Sequence, residues 1–156
     1  MNIKTLDFFD NDLIEFEVEA ESWMDLLSKL SQKLIEKRYV KISFRESIIE
    51  REKDFPTGLD TMGVKIAIPH TDSTHVLKPG IFIANLKDPI LFKEMGNGIR
   101  DIEAELVFLL VVDRPKDQVK ILKELINIFT QEKVLKKLKN SKACEEVMEI
   151  LKGALG

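Results

Sequence analysis

The run A-E-L-V-F-L-L-V-V from Ala104 to Val112 constrains this chain more than any other. Successive side chains of a strand point to opposite faces, so a strand that is apolar at nearly every position needs cover on both sides. Gly80 to Leu86 (G-I-F-I-A-N-L) has the same character. Both read as interior strands of a sheet. A short strand-like segment near Ile90 to Phe92 follows the first. Together Gly80 to Phe92 reads as a hairpin or meander, which implies mixed pairing and argues against a purely parallel, doubly wound sheet.

The cover comes from amphipathic helices. Ser22 is an N-cap candidate with Asp25 three residues on, a capping-box variant. Trp23, Leu26, Leu27, Leu30 and Leu34 then fall on one helical face. Ser43 or Ser47 begins a second helix through Ile48, Ile49 and Arg51, which must end before Pro56 and Gly58. Pro115 suits the first turn of a third helix, carrying Val119, Leu122, Leu125, Ile126 and Phe129. Two shorter helices follow, one with Val134, Leu135 and Leu138, the other with Val147, Ile150 and Leu151. Ser141 is the candidate cap of the last, and Gly153 and Gly156 close it. Leu13 to Ala20 alternates with period two, Phe16 and Val18 inward and Glu15, Glu17 and Glu19 outward. Strands interleaved with helices give an α/β fold, a single-domain sandwich over residues 1–156 with a mixed parallel/antiparallel sheet flanked by helices.

Composition removes several function classes. Basic residues are dispersed and balanced by acids, with a net charge of −3, so nothing points to nucleic acid. The one cysteine, Cys144, excludes an internal disulfide and a cysteine zinc cluster and fits a reducing cytoplasm. Met1 to Ala20 carries six acids and does not read as a signal peptide. No apolar run approaches the roughly 18 residues of a membrane span.

The chemistry concentrates after Val64-Lys65-Ile66-Ala67-Ile68-Pro69. The proline ends a short apolar strand and stiffens its exit. His70, one of two histidines, comes next, at the strand end where α/β proteins place ligand sites. An imidazole there can act as a base, a metal ligand or a nucleophile. Thr71 and Asp72 set a hydroxyl and a carboxylate beside it, and Thr71 could hydrogen-bond a group carried on the ring. An exposed histidine without a role is the plain alternative. His70, Asp72 and His75 could also bind zinc with a further ligand, although the spacing matches no strong zinc motif. Serine-hydrolase elbows and Gly-rich phosphate loops are missing. Arg51 is either a solvated helix end or a guanidinium aimed at an anion near His70.

Three segments together resemble a known family: Arg51-Glu52-Lys53-Asp54-Phe55-Pro56-Thr57-Gly58-Leu59, then Ile66 to Asp72, then Ala104 to Val112 with the helix from Pro115. They are similar to the enzyme IIA domains of the fructose–mannitol class (EIIA type 2) of the bacterial phosphoenolpyruvate-dependent sugar phosphotransferase system. The resemblance runs roughly from Leu6 to Leu151. F-P-T-G-L and I-P-H-T-D-x-x-H-V look most like its galactitol-specific branch. The resemblance implies a cytoplasmic phosphotransferase without a cofactor or a metal. His70 would accept a phosphoryl group from phospho-HPr, usually on Nε2. A cysteine of EIIB would then receive it, for sugar entering through the membrane component EIIC. Arg51 and Thr57 match positions near the active site of relatives. Lys116, in Pro115-Lys116-Asp117-Gln118-Val119, stands where many members have a second histidine. Phe55, Leu59, Met62, Val76 and Leu77 are candidates for a docking patch. The alternative within the family is a regulatory, nitrogen-type IIA protein that signals by protein binding.

Overall fold

The computed structural model describes residues 4–156, so the start of the acidic Met1 to Ala20 stretch lies outside the described residues. In chain order the elements are β1 (Ile14–Val18), α1 (Trp23–Glu36), α2 (Phe44–Asp54), β2 (Gly58–Leu59), β3 (Ile66–Ala67), β4 (Gly80–Lys93), β5 (Asp101–Val111), α3 (Pro115–Phe129), α4 (Glu132–Asn140) and α5 (Cys144–Leu155). The strands form one five-stranded sheet in the order β1-β4-β5-β3-β2. β1 runs parallel to β4 and β3 parallel to β5, while β4–β5 and β2–β3 are antiparallel. The architecture is thus the mixed α/β sandwich implied by the apolar runs.

β5 shows why the helices divide into two layers. Leu106, Phe108 and Leu110 join a core with Ile121, Leu125, Phe129, Leu135 and Leu151 of α3, α4 and α5. Val107, Leu109 and Val111 join a second core with Leu26, Leu27, Leu30 and Leu34 of α1 and Phe44 and Ile48 of α2. Strand alternation therefore feeds both cores from one strand. Phe108 and Phe129 tilt against each other at 4.9 Å between ring centroids, an arrangement that adds to the burial of both rings.

Three local features differ from the sequence expectation. Gly80 to Phe92 is not a hairpin in itself but a single strand, β4, whose hairpin partner is β5. The register slips between Asn85 and Ile90, with Lys87, Asp88 and Pro89 exposed. β1 pairs with β4 only as far as Leu86, so Pro89 lies where a missing N–H costs no ladder bond to β1. In β1, Glu17 adopts φ 52° at a bulge between Glu15 and Val18. The extra residue reverses the alternation, so Phe16 packs on the α3–α5 side and Val18 on the α1–α2 side. Ser141 does not cap α5: its hydroxyl donates to the Lys137 carbonyl at 2.8 Å, Ala143 holds the N-cap position and Gly153 lies inside the helix. The orphan carbonyls at the end of α4 claim the hydroxyl first. Ser43 does begin α2, as expected, at its N-cap position; its Oγ engages His75 in place of a cap bond. The Ser22 cap does form, accepting the Asp25 N–H at 3.1 Å while the Asp25 carboxylate accepts the Glu21 N–H at 3.0 Å. No helix among the described residues is long and apolar enough to cross a membrane.

Candidate active site

β3 is only two residues long, but its exit is held firmly. The Ile68 N–H donates to the Thr57 carbonyl at 3.2 Å, and the Leu110 N–H donates to the Pro69 carbonyl at 2.9 Å. His70 leaves the sheet at this carboxyl end. Its Nδ1 lies 2.9 Å from the carbonyl oxygen of Ile68. A carbonyl only accepts, so Nδ1 carries the proton of the neutral ring and Nε2 keeps its lone pair. Burial holds the His70 pKa below its ordinary value of 6.5; the Ile68 bond opposes this and the Arg51 charge reinforces it. The site therefore presents a neutral, oriented imidazole whose unprotonated nitrogen is Nε2.

His70 opens into a cleft of about 350 Å³. One wall is the end of α2 and the turn after it, from Arg51 through Asp54, Phe55, Pro56 and Thr57; the β4–β5 turn, Met95 to Gly98, and Leu122 of α3 complete it. Gly58 lets that turn come close. A Cβ there would lie 2.8 Å from the Lys93 carbonyl oxygen, and the Gly58 carbonyl accepts the Met95 N–H at 2.8 Å. Arg51 is exposed, sits 4.3 Å above the Phe55 ring and has no carboxylate partner among the described residues. A stacked, unpaired guanidinium is preorganised for an anion.

Behind this wall Glu52 is buried, and both carboxylate oxygens serve one residue. Oε2 accepts the Thr57 N–H at 2.8 Å and Oε1 accepts the Thr57 hydroxyl at 2.7 Å. Burial raises the Glu52 pKa from 4.5 to about 7, against the lowering effect of these two bonds.

The segment after His70 is clamped from both helical layers. The Thr71 and Ser47 hydroxyls lie 2.6 Å apart, and the Gln118 amide donates to the Thr71 carbonyl at 3.3 Å. His75 Nδ1 is 2.8 Å from Ser43 Oγ. Arg51, Thr57 and His70 are thus brought into one cleft, whereas Thr71 is buried beside it and Lys116 is exposed and outside it. Along a helix, residues four apart share a face and residues two apart do not. Gln118 and Leu122 therefore turn toward His70, and Lys116 turns away. Among the described residues no group of three or more His, Cys, Asp or Glu side chains is placed to hold a metal ion. Of the candidate docking residues, Phe55, Met62 and Leu77 are exposed, while Leu59 and Val76 are partly buried against the cores.

Sequence reasoning missed Glu52, Gln118, Leu122 and the β4–β5 turn. Glu52 stood inside the R-E-x-x-x-x-T-G segment, and the i, i+4 spacing of Gln118 and Leu122 was available. Gly96-Asn97-Gly98 marked a turn, but nothing local showed that it folds over His70.

Comparison with known proteins agrees with this geometry. The family described as "Phosphoenolpyruvate-dependent sugar phosphotransferase system, EIIA 2" matches residues 7–154. The galactitol-specific EIIA component of the phosphotransferase system from Escherichia coli is 27% identical over 107 residues, which span 69% of this chain and 71% of that protein. Among solved structures, enzyme IIAMtl in its complex with phosphorylated enzyme IIBMtl from Escherichia coli superposes with a TM-score of 0.74 at 24% identity, covering 93% of this chain and 99% of that one. The nitrogen regulatory protein IIA-Ntr from Neisseria meningitidis superposes with a TM-score of 0.76 at 22% identity, covering 94% and 97%. The chain belongs to the EIIA 2 family of the phosphoenolpyruvate-dependent sugar phosphotransferase system, a family of phosphotransferases that relay phosphate through a histidine.

Proposed function

We propose that His70 is the relay histidine, that phospho-HPr is its donor and that a cysteine of an EIIB partner is its acceptor. The sugar is galactitol or a related hexitol, taken up through EIIC, and the chain works in the cytoplasm. The observation that carries this reading is the Nδ1–H···O=C bond to Ile68, which leaves Nε2 as the attacking atom. The Nε2 lone pair attacks phosphorus in line. The new N–P bond forms as the donor's P–N bond breaks, and the donor ring recovers its lone pair. No proton has to move on His70, because Nδ1 keeps its own. A second displacement passes the group to sulfur, breaking the His70 N–P bond.

Such a transfer between two histidines needs alignment and charge stabilisation more than covalent help. Arg51 supplies positive charge at the mouth, and Leu122 and Phe55 give the cleft apolar walls. The sequence likeness to a galactitol-specific component supports the choice of sugar, and the fold likeness to a IIA–IIB complex supports EIIB as the partner. The likeness to a nitrogen regulatory protein supports a fold and nothing finer. Incubation with phosphoenolpyruvate, enzyme I and HPr, followed by intact-mass measurement, tests the reading. One acid-labile, base-stable phosphoryl group is expected, lost in His70→Ala and kept in His75→Ala. A chain that stays unlabelled, or is labelled elsewhere, refutes it. Labelling without onward transfer to any EIIB would favour the regulatory alternative.

A further inference from the structure

Glu52 is the only buried carboxyl among the described residues, at 4% exposure, and it forms no ion pair there. Its only hydrogen-bond partner among the described residues is Thr57, which also lines the cleft of His70. A hydroxyl has one proton to give. While Glu52 is ionised, it takes that proton, and Thr57 Oγ1 turns only lone pairs toward the cleft. A phosphoryl group on His70, itself all acceptors, would meet oxygen there instead of a donor. Protonation of Glu52 on Oε1 reverses the bond. The carboxyl then donates to Thr57 Oγ1, the Thr57 O–H is released into the cleft, and Oε2 continues to accept the Thr57 N–H. The backbone stays in place; one proton and one hydroxyl torsion change.

We propose that Glu52 is a positioning residue acting through Thr57: it takes a proton from solvent when His70 is phosphorylated, and Thr57 then donates its hydroxyl to a phosphoryl oxygen. This rests on His70 being the phosphorylated residue. Burial already raises Glu52 from 4.5 to about 7, within reach of such an exchange near neutral pH. A dianion arriving in the cleft raises it further. The other charged groups lining the cleft are Arg51 and Asp54 on α2; Glu94 and Arg100 flank the β4–β5 turn outside the lining, and Arg100 also pairs with Asp60 at 3.0 Å. Glu94 and Arg100 pair with each other at 3.6 Å, and the residue that α3 contributes to the cleft wall is the uncharged Leu122.

The test is the phosphoryl-exchange equilibrium between phospho-HPr and this chain, measured in wild type, Glu52→Gln and Thr57→Val from about pH 5.5 to about pH 8.5. Glutamine mimics the protonated acid, since its amide N–H donates to Thr57 Oγ1 and its carbonyl accepts the Thr57 N–H. Titrations of HPr and of phosphate are common to all three proteins and cancel in the ratios. The wild-type constant should fall relative to Glu52→Gln by up to roughly tenfold per pH unit above about pH 7, as one linked proton requires. Glu52→Gln should stay high, and Thr57→Val should be low with no such dependence. A wild-type to Glu52→Gln ratio that is constant with pH overturns the proposal. Should the variants not fold, infrared difference spectra of the wild type at about pH 8 serve instead. Phosphorylation should bring up the C=O stretch of a carboxylic acid, and no such band overturns the proposal. A chain that takes no phosphoryl group on His70 overturns the relay reading and this inference with it, whereas phosphorylation with a constant ratio overturns only the inference.

Discussion

The chemistry at His70 depends on which ring nitrogen is free, and a backbone carbonyl makes that choice. The bond from Nδ1 to the Ile68 oxygen fixes the tautomer and the ring plane, as an outer partner does for a histidine bound to a metal. The sign of the pH dependence follows. His70 is harder to protonate than an ordinary histidine, so the neutral nucleophile is already the majority form at the ordinary value of 6.5 and is lost as pH falls through the lower value of the folded chain. Initial rates of phosphoryl acceptance should therefore hold steady from neutral pH to just below 6.5 and decline with further acid. Stopped or quenched labelling against phospho-HPr checks this, with HPr held in excess and its own titration measured separately. A decline beginning well above 6.5 would contradict the burial effect.

At the scale of elements, the site is a meeting of short pieces. β3 supplies the exit for His70, α2 supplies Arg51 and the buried Glu52, and α3 reaches the post-histidine segment through Gln118. The phase of α3 decides which of its residues matters. Lys116→Ala should change phosphoryl acceptance by less than about twofold, because the side chain is exposed and points away. Gln118→Ala removes the donor to the Thr71 carbonyl and should lower acceptance by roughly threefold to tenfold, the equivalent of one modest hydrogen bond. Transfer rates for the two variants side by side settle the comparison.

The same elements mark what local sequence could carry. The amphipathic faces of α1 and α3, the Ser22 cap and the strand end at Pro69 were all legible, because each is set by residues within one or two turns. The bulge at Glu17 was not, since glutamate gives no local cue for φ 52° and the alternation of L-I-E-F-E-V-E-A looks unbroken. Nor was the continuity of β4 through Pro89, which depends on where β1 stops. Of the site, His70 could be read from its place after Pro69, Arg51 only as one of two alternatives, and Thr57 only through the family resemblance. Gln118 and the turn at Met95 to Gly98 belong to it through contacts between distant parts of the chain.

Across the whole molecule, two helical layers leave the carboxyl end of β3 as the place where a cleft can open beside exposed apolar side chains. Phe55 is 59% and Met62 70% exposed, so neither is spent on filling the two cores. On the proposed relay they form part of the partner-facing rim. Phe55→Asp combined with Met62→Asp should raise the KM for phospho-HPr about tenfold or more, with little change in the thermal midpoint because neither side chain fills a core. Steady-state transfer assays together with a melting curve separate the two effects. The tether at Nδ1 carries a further consequence. With one ring nitrogen pinned to the main chain, the imidazole has a single reactive edge, and whoever delivers the cargo must leave before the recipient can approach. Turnover should follow a ping-pong scheme in which spent donor, added in excess, competes with the acceptor and slows its own pathway.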